Sequence, residues 1–357
     1  MEIIGLDLHK RESQLSMKAE DGTVSERRIA TSRERFTAVL GQRPPARVLL
    51  EATTESEWVA QHLEALGHEV IVADPNFAAM YATRSRRSKT DKRDARTLMQ
   101  ACATGVYRRA HRLSAPRRHV RAQLAVRDAL VRTRTRAIAL AKALARRDGL
   151  RVASSASHAA VGRIAALPLS AELRGALAPL CQLIGVVSEQ LEELDHELAG
   201  LVQSDPTVAR LVTTPSVGPV TAAAFVATID DVGRFRTAHE LEAYLGLVPS
   251  EKSSGERRRL GRITKAGNSR MRWLLVEAGW GLLRSRSPEA AALRAWGLRI
   301  AARRGKRIAA VALARRLAGI LFALWRDEVA FDPRMIRLPE HLTHLTHLTH
   351  EASERVQ

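Results

Sequence analysis

Residues 2–8 read EIIGLDL, a short apolar run with the length and β-branching of a buried strand. The run closes on Asp7, with His9 and Lys10 directly behind it. Working outward, residues 14–19 alternate loosely, Asp21-Gly22 is a hairpin turn, and Thr23 to Ala30 can pair back. Thr31 or Ser32 can cap a short helix to about Leu40, and Pro44-Pro45 breaks the chain. Arg47 to Leu50 predicts a second buried strand, ending at Glu51. Glu55 to Leu66 reads as an amphipathic helix stopped by Gly67, and Glu69 to Ala73 gives a third core strand before Asp74-Pro75.

Next comes RSRRSKTDKRDAR, residues 84–96, with seven Lys/Arg around Asp91 and Asp94. Three-residue spacing on a helix sets both carboxylates on one face, about one turn apart. Paired oxygens suit a hard cation such as Mg²⁺, and the surrounding charge would draw a polyanion whose phosphates share it. By itself the run also reads as a solvated helix laced with ion pairs. Asp7 alone could face water at a strand end, and Glu51 could cap the following helix. The set carries more weight than its members. A hairpin followed by αβαβ, with acids ending two core strands, is the plan of α/β ribonuclease H-like (RuvC-like) nucleases. Those folds gather carboxylates from separate strands and a helix to hold metal ions astride a phosphodiester.

The bulk composition narrows the partners. The 357 residues suffice for two or three domains, and the formal charge of +19 exceeds what solubility needs. Charge of that size points to nucleic acid before membrane. Aromatics are 4% of the chain, so an aromatic base-stacking platform is not the expected main binding mode. No run of 18 apolar residues and no signal-peptide pattern appears, so no membrane and a cytoplasmic site are expected. Cys102 and Cys181 are too few and too distant for a disulfide framework or a zinc site.

GLDLHK (5–10), LLEAT (49–53), ADP (73–75) and KTDKRDAR (89–96) resemble the DEDD motif of the IS one-ten insertion-sequence transposases, bridge-RNA-guided recombinases. The resemblance implies that Asp7, Glu51, Asp91 and Asp94 bind Mg²⁺, beside nucleic-acid contacts from Lys89, Lys92 and Arg93. It further implies DNA partners (element ends and target), a structured guide RNA, and a homo-oligomer, dimer or tetramer.

Residues 117–147 form a basic helix with ten Lys/Arg and one acid, Asp128, suited to gripping phosphates without reading sequence. After Pro179, Leu180, Ile184, Val187, Leu191, Leu194, Leu198 and Leu201 step by four and three, an a/d seam with acids on the other faces. Its partner is either another protomer or the basic helix of the same chain; in the resembled family this region is a coiled-coil linker.

Gly218-Pro219 between two short helices reads as a helix-hairpin-helix-like element whose amides point at a phosphate. Asp230-Asp231 read as turn or capping residues. Residues 244–275 contain Ser253, Ser254 and Gly255 followed by Arg257, Arg258, Arg259, Arg262 and Lys265. Alone, this is a flexible loop contacting phosphate. GLVP (246–249), SSG, RITKAGN (262–268) and RMRWLL (270–275) resemble the second conserved domain of the same family, where a serine forms the covalent link to DNA. That pattern puts the nucleophile directly before the glycine, which is Ser254, with Ser253 in reserve. Lys265, Arg270 and Arg272 are candidate phosphate contacts. His341, His344, His347 and His350 belong to a literal HLT repeat in a tail expected to be disordered.

The expected domains are a RuvC-like DEDD domain (1–112), a basic helix and coiled-coil linker (113–205), a mainly α serine transposase domain (206–330) and the tail (331–357). The expected function is a DNA recombinase that mobilises its own element. Two alternatives stay open: a metal-only junction resolvase or nuclease, and a non-catalytic nucleic-acid scaffold.

Overall fold

The structure, a computed structural model, describes residues 1–81, 90–153, 157–254 and 257–335, with only the backbone at 158, 252–260 and 335. Lys89 and the HLT repeat lie outside the described residues. The chain divides into two compact units, 1–113 and 114–357.

The first unit is a mixed five-stranded sheet. β1 (Ile3–Leu8), β2 (Glu12–Lys18) and β3 (Val24–Ala30) form an antiparallel meander. α1 (Arg33–Leu40) follows, capped by the Ser32 side chain, which accepts the Arg35 N–H. β4 (Arg47–Glu51), α2 (Ser56–Ala65) and β5 (Glu69–Ala73) then add two parallel strands, giving the order β3-β2-β1-β4-β5. Apolar strands buried on two faces explain the layers. Ile4, Leu6, Val48 and Leu50 pack with Phe36, Leu40, Val59 and Leu63 of α1 and α2. Leu49 and Ile71 point the other way, onto Leu98 and Cys102 of α3 (Asp91–Thr104).

α3 starts at Thr90, whose hydroxyl accepts the Arg93 N–H, and stops at left-handed Gly105. It lies directly on β1. A Cβ built on Gly5 would sit 2.1 Å from the Ala95 carbonyl oxygen and 2.2 Å from the Met99 nitrogen. Only glycine permits this approach, which carries the first turn of α3 to the end of β1.

The second unit is helical apart from one hairpin. α4 (Ala115–Arg147) and α6 (Ala171–Ser204) lie side by side, with short α5 (Ala160–Ala165) between them in sequence. Of the α6 seam, Ile184, Val187, Leu191 and Leu198 are buried; Leu198 clusters with Val120 of α4, and Ile184 with Ala137 and Ile138. The two helices also match charge: Arg127 pairs with Asp195, and Gln123 donates to Glu197 at 3.0 Å. Seam and basic helix therefore meet within one chain. Pro179 lies inside α6, which begins eight residues earlier on the Ser170 cap; the proline forgoes one helical N–H and the helix continues.

α7 (Pro206–Leu211), α8 (Pro219–Ile229), α9 (Ala238–Tyr244), α10 (Ser269–Arg284), α11 (Ala291–Arg304) and α12 (Lys306–Arg326) share one core. Ala223 and Ala227 of α8 join it to Val120 of α4 and Leu198 of α6. α12 is long and apolar enough to cross a membrane, but Leu313, Leu317, Leu321 and Phe322 are spent in this core. The stretch around Ser253 and Ser254, which alone reads from sequence as a flexible loop, instead lies in paired antiparallel strands, β6 (Pro249–Ser254) and β7 (Arg257–Ile263).

Candidate active site

Asp7 is the next-to-last residue of β1, Glu51 ends β4, and Asp91 and Asp94 occupy the first turn of α3. The sheet order makes β1 and β4 neighbours, and Gly5 lets α3 close over them. Asp7 is only 9% exposed, and among the described residues its Oδ2 has no hydrogen-bond partner. The His9 Nε2 stands 3.2 Å from that oxygen and 3.7 Å from Asp91 Oδ1. One donor atom each from Asp7, His9 and Asp91 lies within 4.8 Å of the others. Glu51 Oε1 accepts the Tyr81 hydroxyl at 2.6 Å.

Burial raises the Asp7 carboxyl from 3.8 to about 6, and His9 opposes the rise. The charges of Asp94, Asp91 and Glu51 then push it further up, in that order. The other three acids named from the sequence therefore all act on Asp7, but of them only Asp91 joins Asp7 and His9 in the close cluster. A buried carboxylate oxygen with no well-formed hydrogen bond, the His9 Nε2 as near neighbour and three further carboxyl groups raising its pKa, fits a hard divalent cation, which offsets both burial and repulsion.

His9 was missing from the sequence-derived set. It lies just past the end of β1, and its approach to Asp91 is what places it among these acids. Lys92 and Arg93 are exposed beside the acids.

The second group of candidates lies in the helical unit. Strand register pairs Ser254 with Arg257, Ser253 with Arg258, Lys252 with Arg259, and Glu251 with Leu260. Residues two apart share a face of a ribbon. Ser254 thus falls in a row with Lys252, Arg257 and Arg259, and Ser253 in a row with Glu251, Arg258 and Leu260. The side chains of residues 252–260 lie outside the described ones. Arg262 and Lys265 are exposed. Arg272 donates to the carbonyls of Leu245 and Gly267 at 3.1 and 3.0 Å, and to that of Ala266, holding the loop before α10. Arg270 pairs with buried Asp128. Gly218 is the exposed N-cap of α8. Asp230 and Asp231 both serve at helix ends, and Asp230 accepts the Ser114 hydroxyl and N–H.

Family models match two separate stretches of the chain, the first running on through α4. A DEDD transposase model matches residues 4–147, and one described as Transposase IS116/IS110/IS902 family matches residues 208–294. Acids gathered on a mixed sheet, followed by a helical unit with this second signature, define a DNA transposase whose DEDD domain implies a divalent metal. A "Probable family 20 transposase" of Pseudomonas aeruginosa is 30% identical over 92% of this chain and 98% of its own length. The transposase for insertion sequence element IS1328 of Yersinia enterocolitica is 28% identical over 92% and 98%, respectively. That for IS1111A of Coxiella burnetii is 26% identical over 91% and 89%. The chain belongs to the IS116/IS110/IS902 transposase family, as its sequence motifs had implied.

Proposed function

We propose that this transposase cuts and rejoins DNA through Ser254, assisted by Mg²⁺ held by Asp7, Glu51, Asp91 and Asp94, and directed by a structured RNA. The observation that supports the metal half is the set of ligand atoms from buried Asp7, His9 and Asp91 within 4.8 Å of one another. The strand order β3-β2-β1-β4-β5, with α3 laid on β1, supports a ribonuclease H-like reading of the first unit. When bound, Mg²⁺ neutralises charge on the reacting phosphate and acidifies water.

Support for Ser254 over Ser253 comes from the ribbon register. A hydroxyl is a weak nucleophile unless cations or a base favour its alkoxide, and the Ser254 row carries three cations against one beside Ser253. The same arginines suit the phosphate charge that builds in the transition state. As the Ser254 Oγ–phosphorus bond forms, the bond from phosphorus to a deoxyribose oxygen breaks; that oxygen gains a proton and the serine loses one. Attack by the hydroxyl of another strand reverses the step. Gly218 at the N-terminus of α8 suits a helix-hairpin-helix contact that positions the duplex. Leu183 and Val186 of α6, exposed while their seam neighbours are buried, favour a homo-oligomer. The charge of +19 leaves room for RNA as well as DNA in the cytoplasm.

The test incubates element DNA and its flanks with protein, RNA and Mg²⁺, then quenches in detergent. Wild type and Ser253→Ala should leave protein on a DNA end; Ser254→Ala should not. Cutting that persists in the Ser253→Ala, Ser254→Ala double variant would make the chain a metal-only nuclease.

A further inference from the structure

The sequence holds five tryptophans, and four of them are half-buried among the packed helices and sheet. Trp273 on α10 is different: it is 47% exposed. It borders a groove of about 530 Å³ between α4 and α10, together with Asp128, Arg132, Thr135, Arg136 and Arg270. The Arg270 guanidinium lies over one face of the indole, 4.3 Å from its centroid, so a stacking partner would take the opposite face. Asp128, the single acid among the ten cations of the basic helix, is 7% exposed and holds Arg270 with one oxygen and Arg132 with the other. With Arg136 also on its lining, the groove carries three guanidinium groups against one carboxylate and is net positive. The buried acid fixes the direction of two of them, so the charge is placed as well as plentiful.

An indole beside fixed arginines is a surface for a flat, electron-rich ring next to an anion. A base within a duplex cannot offer its face, because neighbours cover it on both sides; an unpaired base can. Arg132 and Arg136 stand one helical turn apart, a spacing suited to the phosphate that accompanies such a base. We propose that the groove between α4 and α10 binds one unpaired nucleotide of a nucleic-acid strand, its base stacked on Trp273 and its phosphate held by Arg132 and Arg136. None of the acids or serines named above as catalytic lines this groove, and the proposal stands whether or not Ser254 is the nucleophile.

The full chain is titrated, by fluorescence anisotropy at fixed salt, with labelled single-stranded DNA, single-stranded RNA of the same sequence, and fully paired duplex. Trp273→Ala should weaken single-strand binding by about tenfold and leave duplex binding within about twofold, while Trp273→Phe should restore most of the loss. A loss confined to DNA or to RNA identifies the strand that supplies the nucleotide. Equal loss on duplex and single strands, or no loss on either, overturns the proposal. Because Trp273 is exposed, its removal leaves the core of the unit intact.

Discussion

Asp7 shows what a single residue gives up to build a site. Its carboxyl titrates near 6 in the folded chain and at 3.8 ordinarily, so the native state holds the extra proton between those values. Stability attributable to this group therefore falls as pH rises through that window, and the loss persists above it. Asp7→Asn carries no such penalty. In urea denaturation without divalent metal, the variant should match wild type at about pH 4 and exceed it at about pH 7.5. Saturating Mg²⁺ should close the gap by stabilising wild type alone. Asp7, Glu51, Asp91 and Asp94 were legible because each ends a recognisable apolar strand or opens a helix. His9 was not, since its role rests on lying 3.7 Å from Asp91, eighty-two positions onward in sequence.

Among the elements, the seating of α3 on β1 decides whether the acids meet. Ala95 and Met99 oppose Gly5 with backbone atoms, which cannot rotate away as a side chain would. Gly5→Ala should cost about 3 kcal/mol and displace the helix that bears Asp91 and Asp94. Calorimetric titration should then show weakened divalent-metal binding although every acid remains, and denaturation should show the lowered stability. Retained metal affinity would mean that α3 is not what positions the site. The N-terminal elements could be read from sequence because apolar residues there recur at the strand or helix period. The hairpin of β6 and β7 could not: PSEKSS and RRRLGRI offer almost no apolar alternation, and only the pairing itself reveals two strands. The α6 seam was visible in the leucines, but its partner was not, because heptads specify a face and not who covers it.

At the scale of the whole molecule, a charge of +19 dominates encounters with nucleic acid. Non-specific duplex affinity should fall by at least about a thousandfold between about 50 and 200 mM salt. A much shallower slope would show that internal ion pairs such as Arg127–Asp195 and Arg117–Asp205 leave few cations for phosphates. The core of the second unit has an unequal history. It gathers residues from Val208 to Leu324, and α12 supplies many of its fully buried side chains. On the ribosome, the sheet that holds the acids can close once residue 113 has emerged, but α10, though α8 already stands beside it, lacks its main packing partner until α12 follows. Leu247 and Ile263, which root the hairpin in that core, wait with it. Made in chain order, the acidic site can therefore form first, and the hairpin that bears the serines is braced only once α12 has been made.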